Sequence, residues 1–202
     1  MNDINLYYND IPDNISWGDE ISIDSETMGL NLTRDRLCLI QIQSQDKKIH
    51  LIQFKDSNYQ CKNLKNLLSN PKIVKIFHYA RFDMLAIYTY LNIICENIFC
   101  TKIASKLCRT YTDKHSLKTL CKELLNLDLQ KEQQSSNWGA SQLSTEQLQY
   151  ASLDVIYLPQ LKNQLTQMLI QENRLELAQQ CFNFLQTQVL LDKLNFVEIF
   201  NH

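Results

Sequence analysis

Glycine and proline are scarce in this sequence of 202 residues, which contains three of each. The glycines Gly18, Gly29 and Gly139 are far apart. A phosphate-cradling loop and a dinucleotide fingerprint both need several glycines within a few residues. The sequence therefore excludes P-loop kinases and ATPases and Rossmann-type dehydrogenases.

Long apolar runs are also missing. No stretch approaches the ~20 apolar residues that a membrane-spanning helix needs. The N-terminus has neither the basic flank nor the apolar segment of a signal peptide. We therefore expect a soluble, cytoplasmic protein with no membrane partner.

Cysteine is present, but in no metal-binding or disulfide pattern. The seven cysteines form no Cys-x-x-Cys pair and are matched by no histidine cluster. They are expected to be reduced and mostly buried thiols.

The composition is that of a globular protein, with 45% apolar and 21% charged residues, and the length fits one domain. The net charge of −2 is unevenly distributed, because residues 61–140 contain 12 basic and 6 acidic residues. Such a density of basic residues can face a polyanion or form a solvated helix face. Seven of them lie close together in the chain: Lys102, Lys106, Arg109, Lys114, Lys118, Lys122 and Lys131.

Hydrophobic periodicity predicts a mixed α/β sheet flanked by helices, with a helix-rich C-terminal half. The predicted strands are 21–24, 37–43, 48–53 and 73–77, and the first three are expected to form two hairpins. The predicted helices are 61–69, 81–90, 101–108, 116–126 and a long region over 144–184. Pro159 is expected to kink or restart the helix in that last region.

Two carboxylates follow each other at the end of the first predicted strand. Asp24 and Glu26 are two residues apart, so their side chains point to the same face. Like charges this close favour exposure to solvent, protonation or a bound cation, and hard oxygen ligands suit Mg²⁺ or Mn²⁺.

Two further elements carry acids. Asp83 follows the strand 73–77 near the start of a helix, where the helix dipole alone would also favour an acid. Ser144 and Gln147 have capping-box spacing and start a helix on which Tyr150 and Asp154 are four residues apart. Tyr150 and Asp154 can therefore share a local hydrogen bond or a site.

Asp-x-Glu at a strand end, Asp at a strand-to-helix turn and Tyr-x-x-x-Asp on a later helix resemble, in this order, the three motifs of the DEDD 3′-5′ exonuclease superfamily. The tyrosine places the resemblance in the tyrosine subgroup, within which the chain resembles ribonuclease D. The resemblance spans about residues 19–185 and is carried by IDSETMGLNLTRDRLCLIQIQ, KIFHYARFDMLAIY, FCTKIASKL, KEQQSSNW and LSTEQLQYASLDVIYL. Asn137 departs from it, because many members have aspartate there.

The resemblance implies a fold and a set of site residues. The fold would be a ribonuclease H-like mixed sheet forming one exonuclease domain over residues 1–202, as in short bacterial forms without helical accessory RNA-binding domains. Two divalent ions, Mg²⁺ or Mn²⁺, would be held by the four acids Asp24, Glu26, Asp83 and Asp154. Tyr150 would orient the attacking water. Contacts to the terminal nucleotide would come from Thr27, Met28 and Gly29, and Lys131 would contact a phosphate. Met28 or Leu30 would either wedge against the last base or belong to the core.

The implied activity is a metal-dependent 3′-5′ exoribonuclease that releases nucleoside 5′-monophosphates and trims tRNA or other structured RNA. Its partner would be single-stranded or 3′-overhanging nucleic acid, with RNA preferred, and its oligomeric state stays open. Two alternatives remain. The same chemistry can act on DNA, or the chain can be an inactive nucleic-acid-binding module, although such a module has no need of this assembly of like charges.

Overall fold

A computed structural model of the chain describes residues 3–55, 57–129, 136–196 and 199–200. These residues form strands β1 (Ile4–Tyr8), β2 (Glu20–Thr27), β3 (Leu37–Gln43), β4 (Ile49–Gln53), β5 (Val74–Phe77) and β6 (Ile98–Cys100). They also form helices α1 (Lys62–Leu68), α2 (Ala80–Leu91), α3 (Thr101–Cys108), α4 (Leu117–Leu125), α5 (Thr145–Ile156), α6 (Leu158–Gln171) and α7 (Leu175–Lys193).

The strands form one mixed sheet in the order β1-β4-β3-β2-β5-β6. β3 is antiparallel to both β2 and β4, which confirms the two predicted hairpins. β5 pairs in parallel with β2, so β2 has neighbours of both orientations. The edge strands β1 and β6 were not predicted, because β1 shows little alternation and β6 has only three residues.

The sheet is covered on both faces, which explains why all seven residues of β3 are buried. On one face, Ile23 and Ile42 pack in a large cluster with residues of α2, α3, α6 and α7. On the other face, Leu39 and Leu51 pack in a smaller cluster with residues of α5. Because neighbouring residues of a strand point to opposite faces, β2 contributes to both layers.

The helices agree with the predicted caps and breaks. Ser144 and Gln147 form the predicted capping box at the start of α5. The predicted region 144–184 is divided, since α5 ends at Ile156 and α6 begins at Leu158 with Pro159 in its first turn.

Six cysteines are buried, as expected. Among the described residues, no helix combines the length and apolarity needed to cross a membrane.

Candidate active site

The face of β2 that α5 covers carries two of the predicted acids. Asp24 lies opposite Gln41 of β3, and Glu26 lies opposite Leu39, which belongs to the smaller cluster. Both acids therefore lie on the α5 side of the sheet. The pairing with β3 is irregular between Glu26 and Thr27, where the strand ends.

Helix α5 brings Tyr150 and Asp154 to the same place. The capping box fixes the start of the helix, and the spacing of four residues puts both side chains on one face. Oxygen atoms of Asp24, Glu26 and Asp154 all lie within 4.8 Å of one another, and these three residues are called the three-acid group below.

The three-acid group fits a divalent cation. Its donors are hard carboxylate oxygens of the kind that Mg²⁺ and Mn²⁺ prefer. Three negative charges in partly buried positions repel one another, and a cation among them would remove that repulsion. The donor set thus suits the metal that the sequence led us to expect.

Asp83 reaches the site from the opposite face of the sheet. It lies in the first turn of α2, is 3% exposed, and its Oδ1 accepts a hydrogen bond of 2.6 Å from Ser25 Oγ. Ser25 points away from Asp24 and Glu26, because it stands between them in the strand. Burial raises the pKa of the Asp83 carboxyl, the bond from Ser25 opposes that rise, and the charge of Asp154 adds to it.

The four predicted acids therefore surround the end of β2. Three form the group on the α5 side, whereas Asp83 is not a member of that group in the described part of the chain. Asp83 and Asp154 are close enough for the charge of one to raise the pKa of the other.

The residue before α2, Tyr79, has a φ of 66°, a left-handed conformation that is costly for a residue with a side chain.

Tyr150 is 7% exposed and packs against Trp138, with ring centroids 6.1 Å apart. Burial is the main cause of a raised pKa of the Tyr150 phenol, and the charges of Asp154, Glu26 and Asp24 raise it further. The phenol therefore keeps its proton at neutral pH and can donate a hydrogen bond. Trp138 is 3% exposed and packs in the smaller cluster with Tyr150.

A cleft of about 420 Å³ connects these residues. Its walls contain the four predicted acids and Tyr150, together with other residues of varied type: Ser25, Thr27, Gly29, Leu30, His78, Tyr79, Phe82, Lys102, Ser116 and Leu117. Two predicted nucleotide contacts, Thr27 and Gly29, are thus beside the acids. Lys131 lies outside the described residues.

Gly29 and Met28 have roles within the chain's own packing. A Cβ on Gly29 would lie 2.3 Å from Oδ2 of Asp35, so the turn itself excludes a side chain here. Met28 is 58% exposed, and its side chain lies over Gly139, where an added Cβ would be 3.3 Å away. Leu30, 86% exposed, is the apolar residue of this turn that lines the cleft.

The basic stretch is not one continuous charged face. Arg109 is 0% exposed and pairs with Glu123, so it cannot face a polyanion as the sequence suggested. Lys102 lines the cleft. Four other lysines of the stretch are exposed to solvent, namely Lys106, Lys114, Lys118 and Lys122. Arg109 is buried because it lies four residues after Ser105, on the side of α3 that faces the core.

Sequence reasoning overlooked Ser25, Ser116 and Leu117. The signal for Ser25 was its place in the alternation, because a polar residue follows Ile21 and Ile23 on the core face of β2. Nothing in the sequence of 116–117 indicated the cleft. His78 also lines the cleft, and its Nδ1 lies 2.9 Å from Thr101 Oγ1 at the start of α3.

Comparison with known proteins gives the family. A model of the family described as 3′-5′ exonuclease matches residues 8–170. Ribonuclease D of Bartonella henselae is 34% identical over 140 residues, which are 69% of this chain and 34% of that protein. DNA polymerase I of Aquifex aeolicus is 36% identical over 149 residues, 73% of this chain and 24% of that protein. The chain thus spans only about a third or a quarter of these curated relatives.

Two solved structures are similar to this chain, with 99% or more of its length covered. NrnC of Brucella melitensis bound to pGG is 43% identical, with a TM-score of 0.95 and 100% of both chains covered. The same protein with bound Mg²⁺ is 43% identical, with a TM-score of 0.94 and 99% of both chains covered. The mixed sheet is the ribonuclease H-like fold that the resemblance implied. Members of the DEDD superfamily use divalent metals, as the structure of NrnC with Mg²⁺ illustrates. The chain therefore belongs to the 3′-5′ exonucleases of the DEDD superfamily.

Proposed function

We propose that the chain is a metal-dependent 3′-5′ exoribonuclease that releases nucleoside 5′-monophosphates from the 3′ ends of RNA. The observation that carries this proposal is the three-acid group, whose oxygen atoms lie within 4.8 Å of one another in a cleft that Asp83 and Tyr150 also line. Ribonuclease D among its relatives and pGG on NrnC support RNA as the substrate. Trimming of tRNA or other structured RNA is part of the proposal.

The four acids Asp24, Glu26, Asp83 and Asp154 suit two divalent ions, because two such ions would balance the charge of four ionised carboxylates. When bound, divalent ions stabilise both the attacking and the leaving oxygen of a phosphodiester. Either Mg²⁺ or Mn²⁺ matches the carboxylate oxygens. Asp83 would bind metal together with the other three acids, and the hydrogen bond from Ser25 helps to fix the direction of its carboxylate.

Hydrolysis forms a bond between a water oxygen and phosphorus and breaks the bond from phosphorus to the 3′ oxygen of the preceding nucleotide. Tyr150 is a poor base, with an ordinary pKa of ~10 that burial and, to a lesser extent, the surrounding acids raise further. It is therefore suited to orient the attacking water by a hydrogen bond rather than to deprotonate it. One proton of the attacking water leaves to solvent, and the departing 3′ oxygen takes a proton from solvent, so the shortened strand ends in a 3′ hydroxyl.

The rest of the cleft would hold the terminal nucleotide. Thr27 and Gly29 lie beside Glu26, and Leu30 offers an exposed apolar surface against which a base can pack. Lys102 brings a positive charge to the cleft wall and can meet a phosphate. Lys131 remains a proposed phosphate contact on sequence grounds alone.

Cleavage of DNA is the second candidate, and the relationship to a DNA polymerase I favours it. Among the described residues of the cleft, none is a distinctive reader of the 2′ hydroxyl, which is the group that separates RNA from DNA. The two substrates must therefore be compared directly.

A time course on 5′-labelled single-stranded RNA and on matching DNA tests both candidates, in Mg²⁺, Mn²⁺ or EDTA. The proposal expects a ladder of one-nucleotide steps on RNA that requires metal and disappears in Asp24→Ala. Asp13→Ala is the control, because Asp13 is exposed and lies outside the cleft. Faster shortening of DNA than of RNA would favour the second candidate, and a ladder that persists in EDTA would contradict the metal requirement.

A further inference from the structure

A fully buried arginine lies beside the cleft without lining it. Arg109 caps the C-terminus of α3 and is 0% exposed. Burying a guanidinium is costly unless its charge and its hydrogen-bond donors are satisfied. Its contacts therefore indicate what the residue holds in place.

The Arg109 side chain joins three consecutive parts of the chain. Its Nη1 donates to Ser105 Oγ of α3 at 3.1 Å and to the carbonyl oxygen of Lys114 at 3.1 Å. Its Nε donates to the hydroxyl of Tyr111 at 3.2 Å, and its Nη2 pairs with the Glu123 carboxylate of α4. One side chain thus connects α3, the turn 110–115 and α4.

The end of that turn is held by the same network. His115 Nδ1 lies 2.8 Å from Ser105 Oγ, the hydroxyl that also accepts from Arg109. The next residue, Ser116, caps α4 by accepting a hydrogen bond from the Thr119 amide at 3.2 Å. Ser116 and Leu117 are the two residues of this segment that line the cleft.

We infer that Arg109 is a positioning residue for the exonuclease reaction, since it fixes the turn 110–115 and so places Ser116 and Leu117 against the bound nucleotide. The inference rests on the proposed function for the identity of the cleft. The acids come from β2, α2 and α5, so the network sets the wall of the cleft and not the position of the metal site.

Arginine is required here by geometry. Its planar guanidinium directs five N–H donors, and its acceptors lie on three separate segments. Lysine carries the same charge at a single point with three donors and cannot reach all of them. Arg109→Lys therefore keeps the charge that Glu123 neutralises while it releases part of the turn.

The test compares Arg109→Lys and Glu123→Gln with the wild type, and the matched control is Arg174→Ala. Arg174 also donates to α3, at the carbonyl oxygen of Leu107, and within the described part of the chain it has no hydrogen bond to the turn 110–115. Because Glu123 is partly exposed, Glu123→Gln is expected to fold even if Arg109→Lys does not. Hydrogen exchange of the amides of 111–117 is measured in the free protein, and KM and kcat are measured on 5′-labelled single-stranded RNA with Mg²⁺.

In Glu123→Gln, and in Arg109→Lys if that protein folds, we expect faster amide exchange over residues 111–117. We also expect KM to rise about tenfold and kcat to change less than about threefold. The control should leave both measurements near those of the wild type. Unchanged exchange, or faster exchange with unchanged KM, would overturn the inference, as would equal effects in Arg174→Ala. If the wild type itself fails to shorten RNA, the proposed substrate is wrong, and exchange and KM on the DNA that it shortens then decide the inference.

Discussion

Ser25 Oγ donates a hydrogen bond of 2.6 Å to Asp83 Oδ1, and this bond joins β2 to α2 on the side of the sheet away from the three-acid group. Both residues are buried. Asp24 and Glu26 thus point to the α5 side of the strand, and Ser25 binds Asp83, the fourth acid, on the α2 side.

Ser25→Ala is expected to lower the free energy of unfolding by ~1–3 kcal/mol, because it removes a side-chain donor from a buried carboxylate and, among the described residues, leaves it with backbone donors alone. We also expect kcat/KM to fall by about tenfold, since Asp83 loses one of the hydrogen bonds that orient it. Urea unfolding and single-turnover kinetics measure the two effects. Ser22→Ala is the control on the same strand, because the buried Ser22 hydroxyl has no hydrogen-bond partner among the described residues. Equal losses in both variants would contradict the role of the bond.

Asp24→Asn is expected to affect stability and activity in opposite directions. In EDTA the variant should be more stable than the wild type by about 1 kcal/mol, because one of three mutually repelling charges is removed. Activity should fall by at least about a thousandfold, because a metal-binding oxygen is lost. Added Mg²⁺ should raise the melting temperature of the wild type more than that of the variant. Asp13→Asn should show none of these changes, and a less stable Asp24→Asn protein in EDTA would refute the charge argument.

Tyr150→Phe is expected to lower kcat by about a hundredfold and to leave KM and the fold nearly unchanged. The ring keeps its packing against Trp138, and only the hydroxyl is lost. Because burial and nearby acids raise the pKa of the phenol, Tyr150 stays protonated from pH 6 to 9. The pH profiles of the variant and the wild type should therefore have the same shape over that range. Tyr157→Phe, outside the cleft, should keep full activity, and a matching loss there would show that the effect is unspecific.

Gly29→Ala is expected to destabilise the protein by about 2 kcal/mol, because the new methyl group would lie 2.3 Å from Asp35 Oδ2. Asp35 has little room to move, since its carboxylate also accepts from the Asn31 amide and pairs with Arg34. Gly139→Ala is the matched control, because its neighbour is the flexible side chain of Met28 at 3.3 Å. Thermal unfolding of both variants measures the difference. A Gly29→Ala protein as stable as Gly139→Ala would show that the turn can adapt.

Much of the architecture could be predicted from local patterns. The buried run Leu37–Gln43, the capping box at Ser144 and the break at Pro159 each act within a few residues, so the sequence shows them directly. The edge strands β1 and β6 were overlooked because their pairing partners, β4 and β5, supply what their own short sequences lack. The burial of Arg109 was overlooked for a similar reason, since Glu123 and Lys114 approach it only in the folded chain.

The sequence by itself determined that Asp24 and Glu26 share one face of a strand and that Tyr150 and Asp154 share one face of a helix, because strand and helix periods are local properties of the backbone. Only the tertiary structure decided that α5 covers that face of β2 and brings Asp154 into the three-acid group. It alone placed Asp83 behind Ser25 and the start of α4 on the wall of the cleft. These relations depend on contacts between segments far apart in the chain, which a local pattern does not contain.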